Sequence, residues 1–214
     1  MMKEVIDQLS LAIQRGQLPG EMAHAEMAPI QRPLPDEARH WPDTRVAGVL
    51  ILFYPHKGST YTSLMMRPDY GGVHSRQVSF PGGGRENSDT DIRQTALREA
   101  QEEMNIDPKK VSVIGEISEL YIPPSKSLVT PVLGYSHERP DFIPDEKEVS
   151  EIIEADFHRL IHPDCRTRVD IVRQDYTLRE VPAFCYDNYV IWGATAMMLN
   201  EISWLMEGKG EKRE

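Results

Sequence analysis

The chain has 214 residues, of which 40% are hydrophobic and 27% charged, a balance that suits a soluble globular domain with a full core. Its formal net charge of -10 argues against a general nucleic-acid surface, yet allows a small anionic substrate where a metal ion and a few Arg or Lys invert the local field. Two cysteines are too few for a disulfide framework, and no apolar stretch reads as a signal-peptide core or a membrane span, so a cytoplasmic protein without membrane association is the expectation.

Val5, Ile6, Leu9, Ala12 and Ile13 recur at helical spacing and predict a helix ending near Gly16. Residues 18–44 hold Pro19, Pro29, Pro33, Pro35 and Pro42 with little Gly or Ser, so they read as an irregular wrapping segment rather than a flexible linker. His24 and His40 within it are read as surface or capping groups. Arg45 to Tyr54 is an almost unbroken apolar run, the pattern of a strand buried on both faces, and Tyr61 to Arg67 returns after a turn as a second strand.

From Gln77 to Ile106 the chain passes through a short alternating run, the Pro81–Gly84 turn, a polar loop and a helix rich in carboxylates. Asp89 or Asp91 can cap that helix, which runs to about Met104. Ile92, Ala96, Glu99 and Glu103 fall on one stripe that begins apolar and ends in two acids, with Glu102 alongside. Negative charge is disfavoured at a helix C-terminus, so a cation belongs beside those acids, and oxygen donors suit Mg²⁺ or Mn²⁺.

Further along, Ser112 to Leu120 and Leu128 to Tyr135 predict two strands, and Glu148 to Glu154 another that enters a short helical segment at 156–161. Arg168 to Val172 and Thr177 to Tyr186 form a late strand pair, and Tyr189 to Met206 predicts a helix whose Gly193 and Ala194 permit close packing.

The stretch 77–106 resembles the box of Nudix hydrolases, G-x5-E-x7-R-E-U-x-E-E-x-G-U with U aliphatic. Arg98 to Ile106 follow its second half, with Asn105 in place of the final Gly, a substitution compatible with a left-handed helix cap. In the first half, counting back from Arg98 puts Gly84 at the leading Gly and Thr90 at the first Glu. Aligning Gly83 instead brings Asp89 into the acidic slot and leaves one extra residue before Arg98. The second alignment is similar to the coenzyme A pyrophosphatase subgroup, whose F-P-G-G, Asp-bearing loop and T-A-L-R-E-A are matched by Phe80–Gly83, Asp89 and Thr95–Ala100. Upstream, Arg67, His74, Gln77 and Val78 keep that subgroup's spacing, while Pro68, Gly71, Gly72 and Arg76 depart from it.

The resemblance implies an α/β fold, a Nudix-type α/β/α sandwich with a mixed sheet, at 45–207, preceded by the helix and wrapping segment at 1–44 and followed by a charged tail at 208–214. It implies a metal-dependent pyrophosphohydrolase whose ligands are Glu99, Glu103, Glu102 and a backbone carbonyl at Gly82 or Gly83, with Arg98 holding Asp89 or Glu86. Arg67, His74, Arg76 and Lys126 are the expected substrate contacts, Lys126 because it follows Tyr121–Ser125, a segment like the subgroup's Y-I-P-x-S. The base is sought among Glu146, Glu148 and Glu151, with Glu148 favoured. Coenzyme A or an acyl derivative is the leading substrate. ADP-ribose or another nucleoside diphosphate derivative is the alternative, and a non-catalytic ligand-binding module is the third reading. The expected partners are that small molecule and, as an option, a second copy of the chain in a homodimer.

Overall fold

The computed structural model describes residues 2–30, 32–69, 71, 75–172 and 176–209. Three helices come first, α1 (Met2–Gln14), α2 (Glu21–Met27) and α3 (Pro35–Ala38). The proline-rich segment is therefore partly helical: Pro35 stands in the first turn of α3, where its missing N–H is no loss. His24 is buried rather than on the surface, with Nε2 2.8 Å from a carboxylate oxygen of Glu201.

The main sheet is built on β1 (Arg45–His56), which pairs antiparallel with β2 (Ser59–Met66). Next come β3 (Val78–Ser79), β4 (Gly82–Gly84) and the helix α4 (Ile92–Met104), then β5 (Ser112–Glu116), β6 (Leu120–Ile122), β7 (Ser127–Tyr135) and β8 (Glu151–Asp156). The sheet order is β3-β2-β1-β7-β5, with β4 added to β1, β6 to β7 and β8 to β2. β1 and β7 run parallel and the other pairings are antiparallel, which makes the sheet mixed.

Strand period explains how β1 is buried twice. Leu50, Leu52 and Tyr54 join Ala96, Ala100 and Met104 of α4 in one core, while Ala47, Ile51 and Phe53 face the other core with Val5 and Leu9 of α1. That second core is closed by α5 (Phe157–Leu160), a three-stranded antiparallel sheet of β9 (Arg166–Val172), β10 (Thr177–Tyr186) and β11 (Tyr189–Trp192), and α6 (Ala194–Met206). Helices thus cover both faces of the main sheet, the expected α/β/α sandwich.

Two expected elements differ. The apolar stretch from Tyr189 is a strand up to Trp192, where it pairs with β10, and Gly193, at φ 64°, separates it from the helix. The strand expected over 112–120 ends at Glu116, after a register shift at Gly115, and resumes as β6. The N-terminal segment is bound to α6: Asn200 donates to the Ala23 carbonyl at 2.7 Å, and Gln8 to the Met206 carbonyl at 2.7 Å. No helix among the described residues is long and apolar enough to cross a membrane.

Candidate active site

The box helix is fixed at both ends by its own sequence. Asp91 caps it by accepting the Gln94 N–H at 2.9 Å, and the Gln94 side chain reaches back to the Thr90 N–H at 2.6 Å. At the other end Asn105 takes the left-handed conformation at φ 59°, and the Ile106 N–H returns to the Ala100 carbonyl.

α4 crosses β1 at Gly48, where a Cβ would stand 2.8 Å from the Ile92 carbonyl oxygen, so only glycine permits this approach. The approach brings the Glu99 carboxylate against β4, which pairs with β1 at Gly48–Gly83. A Cβ at Gly83 would lie 2.6 Å from the carboxylate atoms of Glu99, so the glycine turn of the motif makes room for that acid.

Arg98 clasps the polar loop to the helix. Its Nε and Nη2 each donate to Asp89 at 3.0 Å, and Nη2 also reaches the Gly84 carbonyl at 2.9 Å. Asp89 accepts further bonds from the Glu86 N–H and the Thr95 hydroxyl, both at 2.9 Å. The bonds from Arg98, the Glu86 N–H and Thr95 hold its carboxyl well below the ordinary range, and Arg98 is correspondingly raised. The acidic slot of the box is therefore filled by Asp89, as the Gly83 alignment requires.

Glu103 stands in the opposite condition. It is 2% exposed, accepts the Gly82 N–H at 2.7 Å and has Arg67 only within 3.6 Å. Burial pushes its carboxyl up to about 8, with Arg67 and the Gly82 N–H opposing and Glu99 and Glu148 adding to the rise. Glu99 is also raised, first by burial, against the nearby Arg98.

Glu99, Glu103, Glu148, Gly82, Gly83, Arg67 and Arg76 all line one cleft of about 1420 Å³. Of the three candidate bases, Glu148 alone lines it, because its loop hangs on the end of α4. The Asp145 N–H donates to the Glu103 carbonyl at 3.0 Å and the Ile143 N–H to the Met104 carbonyl at 3.2 Å, satisfying carbonyls that a helix terminus leaves open. The loop's other end is held by Arg139, bidentate on Glu154 at 2.8 Å.

Other expected residues lie elsewhere. Glu102 is 59% exposed and turns to Arg98 at 3.1 Å, outside the cleft lining. Lys126 adopts φ 52° and pairs with Asp43 at 3.0 Å, also outside it. Glu151 accepts the Tyr189 hydroxyl at 2.6 Å. His74 lies outside the described residues. Arg76 lines the cleft at φ 54°, a left-handed backbone that favours glycine, and its guanidinium is 3.8 Å from Asp69. A smaller hollow of about 510 Å³ at Asn105–Lys110 contains none of the predicted site residues. Sequence reasoning passed over Arg32 and Arg45, which line the cleft from outside the box.

The NUDIX domain model matches residues 44–173, more than half of the chain. This protein belongs to the Nudix family. It is similar to the uncharacterized Nudix hydrolase NudL of Pectobacterium atrosepticum, with 33% identity over 81% of this chain and 89% of that one. The NudL of Escherichia fergusonii is 36% identical over 61% of this chain and 67% of its own length. Among solved structures, the Nudix hydrolase RenU of M. smegmatis gives a TM-score of 0.46 at 20% identity, over 56% of this chain and 77% of that one. As a Nudix hydrolase, the chain is a diphosphate hydrolase.

Nudix hydrolases generally use a divalent ion, and the donor set fits one. Among the described residues no three His, Cys, Asp or Glu side chains converge on a point. Mg²⁺ does not need three, since it is usually held by one or two carboxylates with water and substrate phosphates. Glu99 and Glu103 are two such carboxylates, both partly withdrawn from water with their carboxyls raised by burial, a setting in which a bound cation would favour the ionised form.

Proposed function

We propose that this Nudix hydrolase splits the diphosphate of coenzyme A or an acyl derivative, giving 3′,5′-ADP and (acyl) 4′-phosphopantetheine. Glu99 and Glu103, with a backbone carbonyl at Gly82 or Gly83, would hold Mg²⁺ or Mn²⁺, and Glu102 would orient water or a second ion after leaving its pair with Arg98. A bound divalent ion supplies charge neutralisation at the phosphoryl oxygens and a more acidic water. Glu148 takes the proton of the attacking water on its carboxylate, and Arg67 offsets the charge that develops on the phosphoryl oxygens. Arg98 touches no substrate and positions the loop through Asp89. Arg76 adds a phosphate contact at the mouth, and His74 keeps the role that its place in the subgroup motif implies.

The observation that carries the substrate reading is the composition of the cleft. Its volume of about 1420 Å³ exceeds the roughly 300–1,000 Å³ of ordinary small-molecule sites, which favours an extended ligand. The carboxylates occupy one part, while Ile30, Ile122, Pro123, Pro124, Trp192 and Met198 add an apolar wall suited to a pantetheine arm. A substrate panel with mass-spectrometric identification of products tests this. Release of 3′,5′-ADP from coenzyme A with Mg²⁺ or Mn²⁺ is the expected result. Cleavage of ADP-ribose with coenzyme A left intact would refute the substrate and spare the chemistry.

A further inference from the structure

Arg32 has no part in the diphosphate chemistry, yet it occupies the cleft. It lies between α2 and α3, ahead of the residues matched by the family model. Its Nη1 donates to the Tyr121 carbonyl at 3.2 Å, and its Nε is buried without a hydrogen-bond partner. Burial is the cause that lowers its pKa, to about 10, and no carboxylate among the described residues offsets it. A guanidinium withdrawn from water with no counter-charge is unfavourable, so its retention at a ligand cleft calls for an anion from outside the chain. The guanidinium reaches the far wall at Gly193, where Nη2 is 3.9 Å from the position of a virtual Cβ, and both residues line the cleft.

Strand register brings a second guanidinium to the same place. Arg45 is opposite Ser127 across β1 and β7, and Ser127 is opposite Ile122 across β7 and β6. The backbone acceptor of Arg32, Tyr121, is the next residue. Arg45 is exposed and lines the cleft. Two strand spacings of about 4.8 Å separate its backbone from Ile122, within the combined reach of two arginine side chains. On the same strand, Gly48 marks the carboxylate end through its pairing with Gly83. Three residues separate it from Arg45, about 10 Å.

We propose that Arg32 and Arg45 form a second anion subsite that binds a phosphomonoester of the substrate, so that the enzyme selects diphosphates carrying an additional terminal phosphate. For coenzyme A this group is the 3′-phosphate of the nucleotide, and in that form the inference rests on the substrate reading above. The planar fork of arginine suits a phosphate bidentately, and a half-buried setting strengthens the pairing relative to open water.

Steady-state kinetics on coenzyme A and 3′-dephospho-coenzyme A test the subsite with the full chain. The wild type favours coenzyme A in kcat/KM. In Arg32→Gln the ratio of the two kcat/KM values falls about 100-fold, chiefly through KM for coenzyme A. Arg32→Lys retains part of the preference, and Arg45→Gln, at an exposed position that does not threaten folding, lowers the ratio about 10-fold. Equal losses on both substrates, or a ratio unchanged in Arg32→Gln and Arg45→Gln, would overturn the subsite while leaving coenzyme A as the substrate. If the protein turns over another diphosphate and not coenzyme A, the substrate reading fails and inhibition of that turnover decides the subsite. Stronger inhibition by 3′,5′-ADP than by 5′-AMP, lost in Arg32→Gln, supports it, and equal inhibition overturns it.

Discussion

Asp89 and Glu103 are both buried acids held against the box helix, yet their surroundings differ in kind. Asp89 receives two bonds from Arg98, one from the Glu86 N–H and one from the Thr95 hydroxyl, and its carboxylate is stabilised. Glu103 receives one N–H and sees Arg67 at a longer distance, so burial pushes its carboxyl up to about 8, with Glu99 and Glu148 adding to the rise. The first arrangement is complete within the chain, whereas the second leaves a buried acid with one N–H donor and a guanidinium 3.6 Å away, the setting in which the proposed ion would bind. On the proposed reading, buried charge serves as structure at one place and as a functional site at the other.

Exchanging each acid for its amide separates the two. Glu103→Gln should lower turnover by ~10³-fold or more, since the ion's charge stabilisation is worth several kcal/mol. Its melting temperature should hold or rise, because a neutral amide removes the cost of burying a carboxyl that ionises readily in the unfolded chain. A large loss of stability would break the comparison. Glu148→Gln should reduce kcat by ~10²–10³-fold with little change in folding, the scale of a lost general base. A kcat within two-fold of wild type would remove Glu148 from the chemistry.

Asp89→Asn should show the reverse order, with a cost of about 2–3 kcal/mol in denaturant unfolding and activity falling with the folded fraction. The same acid sets a pH dependence. Its pKa is lower in the folded chain than in the unfolded one, so its contribution is whole above the ordinary carboxylate range, about pH 4, and drains away as pH falls below it. Melting temperatures between pH 5 and 2 should fall more steeply for wild type than for Asp89→Asn, and parallel slopes would contradict the assignment. The smallest effect belongs to Lys126→Gln. An exposed pair with Asp43 is worth ~0.5 kcal/mol, and kcat/KM should stay within about two-fold. A ten-fold loss would put Lys126 back in contact with substrate.

What the sequence made legible was what neighbouring residues decide among themselves. The double burial of β1 follows from its own apolar run, and the ends of α4 from Asp91 and Asn105. That Arg98 would hold an acid of the loop was readable because one motif carries both partners, and the structure selects Asp89 over Glu86. Glu148 is favoured over Glu146 and Glu151 by resemblance alone, and the sequence holds no physical reason for its place at the cleft. That place depends on backbone bonds from Asp145 and Ile143 to the end of α4, which leave no side-chain signature. Lys126 misled because a basic residue after a proline-rich segment looks available for phosphate, while its partner Asp43 is remote in sequence. Arg32 was hidden among prolines, and only the fold shows that its Nε is buried beside the cleft. The apolar period from Tyr189 reads as helix throughout, and its first four residues are instead a strand because they pair with β10.

The attachment of residues 143–145 to the last turn of α4 gives the molecule a built-in gauge of its own readiness. The amides of Ile143 and Asp145 are protected only while that turn keeps its shape, and the same turn carries Glu103. Hydrogen–deuterium exchange at those two amides should therefore report local opening that detaches the proposed base and loosens its neighbouring acid in one event. Slow exchange there, relative to the surface loops, would mark a catalytic apparatus that assembles once on folding and stays assembled between turnovers.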